Sequence, residues 1–106
     1  MKTATEKRIA FRNNLKSGKI MIAPGVGDAL GAKIAEMAGI PCLAMGGYSV
    51  SASRLGQPDV GLLSCTEMAE QLTGICNAVD IPVVADGDTG YGNALNIIRK
   101  IGRTHV

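Results

Sequence analysis

Ile81-Pro82-Val83-Val84-Ala85-Asp86-Gly87-Asp88-Thr89-Gly90-Tyr91-Gly92 is a short apolar run that ends in two carboxylates and then in glycines. Pro82 opens it, Val83 and Val84 are β-branched, and nothing polar intervenes before Asp86. That pattern predicts a strand buried on both faces, as in a parallel sheet. Function is then expected at its carboxyl end, where loops project from a rigid scaffold in open α/β sheets and β/α barrels alike. Asp86 and Asp88 are two residues apart, so in extended chain their side chains leave one face and converge beyond the strand. Two like charges there call for a counter-cation, and oxygen donors without a nearby His or Cys suit magnesium. A helix-loop-helix calcium loop is ruled out, because its sixth position is Tyr91 rather than Gly and its twelfth is Ile97 rather than Glu. A capped strand-to-helix turn uses the same residue types, so spacing alone leaves that reading open beside the metal site.

The chain around this stretch has 106 residues, 46% hydrophobic with three aromatics, enough for one small aliphatic core. No run approaches the roughly 18 apolar residues of a membrane span, and the first twenty residues lack the apolar centre of a secretory signal, so a cytoplasmic protein without a membrane partner is expected. Cys42, Cys65 and Cys76 match no metal or redox spacing and read as small buried hydrophobes. Net charge is +2, yet eight of the nine carboxylates lie between residues 20 and 98 while the cations gather at the two ends. An acidic middle favours cation binding and argues against a nucleic-acid groove. Residues 1–19 read as a solvated basic helix with Ile9, Phe11 and Leu15 as its packing stripe.

Residues 20–23 are expected to form a first strand closed by Pro24-Gly25. Asp28 then caps a helix over 28–38 whose apolar stripe is Leu30, Ile34, Met37 and Ala38, with Lys33 and Glu36 facing away and Gly39 as its left-handed stop. A second strand over 41–45 leads into a long loop, Ser49 to Leu63, that holds Arg54 and Asp59; loops of that length are usually functional. Ser64-Cys65-Thr66-Glu67 fits a capping box. The helix after it, 64–79, carries Met68, Leu72, Ile75 and Val79 as its stripe, and a third strand follows at 82–85. A last helix is expected from Asn93 through Ile97, Ile98 and Ile101. Ile40-Pro41 and Ile81-Pro82 recur 41 residues apart, each between a helix and a strand ending in glycines, so the chain reads as repeated β/α units.

Ala23-Pro24-Gly25 with Asp28-Ala29-Leu30, then Gly47-Tyr48-x-Val50, Leu55-Gly56-Gln57-Pro58-Asp59, Thr66-Glu67-Met68 and Ala85 to Gly92 together resemble the isocitrate lyase/phosphoenolpyruvate mutase family over about residues 20–98. The resemblance implies an α/β fold, the first three β/α units of a (β/α)8 TIM barrel. It implies a magnesium-dependent lyase or mutase that makes or breaks C–C or P–C bonds of small α-oxo or α-hydroxy acids through an enolate. Carried over by motif, Asp86 becomes a direct metal ligand, Asp88 a ligand through water, and Asp59 a catalytic carboxylate over the substrate. Met45, Gly46 and Gly47 become the strand-end segment whose backbone N–H groups hold the substrate carboxylate. Many members carry serine where this chain has Gly46, so a side-chain hydroxyl to that carboxylate is lacking. The lyases' Lys-x-Cys-Gly-His lid is missing, and none of the three cysteines inherits its role. His105 reads as a solvated residue.

A barrel needs about 250 residues and eight strands, so a truncated barrel, inactive alone and homo-oligomeric when full length, is expected. The competing readings are a non-catalytic remnant or partner-dependent piece, and a dinucleotide-binding turn at Gly25-Val26-Gly27. The turn is the weaker, since Leu30 replaces its third glycine and no acidic residue ends the second strand.

Overall fold

A computed structural model describes residues 1–101, and His105 lies outside them. The order is α1 (Ala4–Lys16), α2 (Ala29–Met37), β1 (Leu43–Met45), α3 (Gly47–Leu55), α4 (Cys65–Ala78), β2 (Val83–Ala85) and α5 (Ala94–Ile101). The architecture is α/β. β1 and β2 pair in parallel, Leu43 opposite Val83 and Met45 opposite Ala85, and the ladder extends through Leu43 N–H to Pro82 O at 3.0 Å and Asp86 N–H to Met45 O at 2.9 Å.

The expected first strand at 20–23 is not formed. In its place Pro24 O accepts the Ala44 N–H and Ala44 O accepts the Val26 N–H, which leaves one parallel bridge between Gly25 and Ala44. Ile20 and Ile22 are 95% and 71% exposed. With no apolar surface against them among the described residues, burial offers nothing to offset the entropy of ordering them as a strand. Val84 is likewise 43% exposed, so β2 is covered on one face rather than on both.

The core is built by Val26, Ala32, Leu43, Met45, Val50, Leu63, Met68, Ile75 and Val79. α4 packs the face expected of it: Met68, Ile75 and Val79 are buried and Leu72 partly so, and its capping box is present, with Ser64 Oγ accepting the Glu67 N–H and Glu67 accepting the Ser64 N–H. α2 is turned the other way. Ala32 and Ala35 meet the core, while Leu30, Ile34 and Met37, the expected stripe, are exposed. Both faces of this helix are apolar by sequence, so periodicity alone cannot choose between them, and the small face lets α2 approach α4 closely. Gly39 ends the helix with φ +85°, as expected.

The segment read as a loop from Ser49 starts as α3, which buries Val50 and Ser51 and ends at Gly56. Its serines suggest a loop, but tertiary burial of one face overrides that weak preference. Arg54 lies on this helix and pairs with Glu70 at 3.0 Å. On α1, Ile9 and Leu15 are exposed and Phe11 alone of the expected stripe is half-buried. What anchors α1 is Lys7, whose ammonium donates to Cys76 O and Val79 O at the C-terminal end of α4, where Lys33 also donates to Ala78 O. Two ammonium groups donating to three carbonyls match the negative end of the α4 dipole. Cys42 is fully buried and Cys65 and Cys76 half-buried, all as free thiols; burial pushes the Cys42 and Cys76 thiols up.

Asp28 caps α2. Its carboxylate accepts the Gly31 N–H and the Ser53 hydroxyl, both at 2.7 Å, and these bonds hold its pKa below the usual carboxylate range. A depressed carboxyl pKa contributes stability that is present above the unfolded value, near 3.9, and is lost as pH falls through the lower folded value. Asp28→Ala is expected to cost α2 about 1 kcal/mol. Hydrogen exchange should read this as severalfold faster exchange at Gly31 near neutral pH, with the gap from wild type closing below the folded pKa of Asp28.

Candidate active site

The carboxyl ends of β1 and β2 open onto a cleft of about 30 Å³ lined by Gly47, Ser51, Asp59, Gly61, Leu62, Leu63, Met68, Asp86, Asp88 and Tyr91. Four expected site residues, Gly47, Asp59, Asp86 and Asp88, therefore share one cleft. Met45 is buried in β1 and Gly46 caps α3, so the segment Met45–Gly47 carries the chain from strand end to helix start. The first amides of α3 have no intrahelical acceptor, and a helix N-terminus favours an anion.

Gly47 lets the Asp59 carboxylate approach the backbone closely. A Cβ there would lie 2.9 Å from both carboxylate oxygens of Asp59. Asp59 is in turn held by its neighbours: the Ser51 hydroxyl donates to Pro58 O at 3.0 Å, and Val60 N–H donates to the same carbonyl at 3.1 Å.

Asp86 and Asp88 reach the cleft by a route other than extended chain. β2 stops at Ala85, and Asp88 takes a left-handed φ of +50°. The Asp86 side chain accepts the Asp88 N–H at 2.8 Å, and Gly90 N–H closes a turn onto Gly87 O at 2.8 Å. Asp tolerates this region better than most residues because its short side chain bonds to nearby backbone. The turn is pinned to α5, since a Cβ on Gly90 (φ +92°) would lie 2.5 Å from Ile97 Cγ1.

Electrostatically the cleft is negative. No Lys or Arg among the described residues pairs with Asp59, Asp86 or Asp88. The Tyr91 hydroxyl is held above its ordinary value, first by burial, then by Asp88 and Asp86, with smaller effects of Cys65 and Asp59. No set of three or more His, Cys, Asp or Glu side chains among the described residues closes on a metal ion. The arrangement fits magnesium nonetheless, because two all-oxygen ligands without a cationic partner match an ion that keeps several waters and is often bound by one or two carboxylates.

Ser51, Leu63, Met68 and Tyr91 line the cleft without having been singled out from the sequence for it. Ser51 was hidden by reading α3 as loop. Leu63 and Met68 flank the capping box, and Tyr91 sits inside the decisive stretch, so position beside the motifs is the signal that finds them. The turn at Gly25–Gly27 is covered: a Cβ on Gly27 would overlap the Ser49 carbonyl oxygen, and Gln71 donates to Gly27 O at 2.8 Å. That leaves little room for a pyrophosphate.

The phosphoenolpyruvate phosphomutase family profile matches residues 11–105. The chain is 48% identical over 91 residues to a 2,3-dimethylmalate lyase of Eubacterium barkeri, covering 86% of this chain and 32% of that one. It is 40% identical over 95 residues to an oxaloacetate decarboxylase of Bradyrhizobium sp. (strain ORS 278), covering 90% and 33%. A phosphonopyruvate hydrolase solved with oxalate and Mg2+ superposes with a TM-score of 0.83 at 38% identity, over 90% of this chain and 33% of that one. The chain belongs to the phosphoenolpyruvate phosphomutase family, within the phosphoenolpyruvate mutase/isocitrate lyase superfamily. It spans about a third of the length of these relatives.

Proposed function

We propose that these residues form the opening β/α units of a (β/α)8 barrel that acts as a magnesium-dependent lyase or mutase on α-oxo or α-hydroxy carboxylic acids. The reaction class is the making or breaking of a C–C or P–C bond beside the carboxylate, through an enolate of the substrate. The observation that carries it is the meeting of Asp59, Asp86, Asp88 and the N-terminus of α3 in one cleft at the strand ends. The chemistries for which the relatives are named, dimethylmalate cleavage, oxaloacetate decarboxylation and phosphonopyruvate hydrolysis, support the same substrate class.

Asp86 holds the metal directly and Asp88 through water. When bound, magnesium supplies a Lewis acid that favours negative charge on the substrate's α-oxygen. The amides of Gly46 and Gly47 receive the substrate carboxylate, as the free donors of a helix start are suited to do. Asp59, packed over Gly47, faces the acid at that end and can hold or accept a proton there. Packing against Gly47 keeps that carboxylate in place.

Assay of the full-length barrel against a panel of such acids, with and without magnesium, tests the reading. Asp59→Asn should lower kcat by about 10²-fold or more, the scale of a lost acid–base group, while shifting the melting temperature by no more than a few degrees. A loss of activity matched by loss of folded protein would make Asp59 a structural turn residue.

A further inference from the structure

An α-oxo or α-hydroxy carboxylate presents oxygen acceptors at both ends, so its site must supply donors. Asp86 and Asp88, given to the cation in the function proposed above, face the substrate as acceptors, and Asp59 is given to the proton. Leu62, Leu63 and Met68 offer no polar hydrogen, which leaves Ser51 and Tyr91 as the lining residues that carry a side-chain hydroxyl. Ser51 is buried and its hydroxyl is committed to Pro58 O at 3.0 Å. Among the described residues the Tyr91 hydroxyl has no such commitment. Its ring is packed against the core, and its backbone is held at φ +58°. The residues on either side are glycines tight against α5: a Cβ on Gly90 would crowd Ile97, and one on Gly92 would lie 2.8 Å from Asn96 Cβ. A left-handed conformation at a bulky residue persists only where its surroundings over-determine it, and such positions cluster at functional sites.

We propose that Tyr91 is the side-chain hydrogen-bond donor of this site, presenting its hydroxyl to an oxygen of the bound α-oxo or α-hydroxy acid. This rests on the function proposed above. Tyr91 therefore contributes to substrate affinity and selection, and not to holding the cation.

The test uses the full-length barrel, with oxalate as a minimal dianionic probe, titrated calorimetrically at saturating magnesium, and magnesium titrated separately without oxalate. Tyr91→Phe keeps the ring and its packing and removes the donor. The expected result is about tenfold weaker oxalate binding, the scale of one hydrogen bond to a charged group. Magnesium affinity should stay within twofold, which also shows that the turn is intact, and KM should rise with kcat nearly held. Unchanged oxalate affinity in a variant whose wild type binds oxalate overturns the role of Tyr91 alone. An equal loss of magnesium affinity also overturns it, since the hydroxyl would then serve the carboxylates. A wild type that binds neither magnesium nor oxalate overturns the proposed function together with it.

Discussion

Asp86→Asn in the full-length barrel is expected to remove magnesium-dependent turnover by at least about 10²-fold, with the fold retained. Asparagine is the sharper substitution here because the Asp86 side chain also accepts the Asp88 N–H. Alanine would remove the charge and release the turn together, whereas asparagine keeps an acceptor for that N–H and removes only the charge. Asp88→Asn should be milder, roughly tenfold in apparent magnesium affinity, for a ligand acting through water. Asparagine is also at home at the left-handed φ of that position, so its backbone should not move. The measurement is turnover against magnesium concentration, with calorimetric titration of the ion. An Asp86→Asn protein that kept full activity in magnesium-free buffer would remove Asp86 and Asp88 from the metal site.

The 106-residue chain by itself is expected to associate and to show no turnover. Ile20, Ile22, Leu30, Ile34, Met37, Leu95 and Ile98 are all more than half exposed. Apolar area of this extent on a small domain is unusual and drives association. Among the described residues the outer edge of β2 is also unpaired, and its free amides and carbonyls can template further pairing. Gel filtration should give an apparent mass above the 10.9 kDa monomer, and heating should melt the helical circular dichroism signal gradually. A sharp transition from a monomer would show that the described core suffices.

Much of the site was legible because it rests on local chemistry. Asp86, Asp88 and the glycines after a β-branched run mark a strand end, and Ser64 with Glu67 marks a helix start; both needed only near neighbours in the chain. The failures are those that depend on partners far away. Whether Ala32 or Ile34 faces inward depends on what α2 packs against, and whether Ile20 joins a strand depends on surface supplied by other elements. Asp86 and Asp88 were expected to converge through extended chain and instead do so through a turn with Asp88 left-handed. The convergence was readable, the backbone route was not, because a side-chain bond two residues long decides it. α3 was missed for a related reason: its serines carry a preference for loops that burial of Val50 and Ser51 outweighs.

The chain contains no tryptophan and two tyrosines. Tyr48 stands 75% exposed, whereas Tyr91 lies in the wall of the cleft. Tyr48→Phe would leave Tyr91 as the single tyrosine of this segment, with no tryptophan, in the wall of the cleft. Its intrinsic fluorescence would then report on the surroundings of the cleft without any attached label.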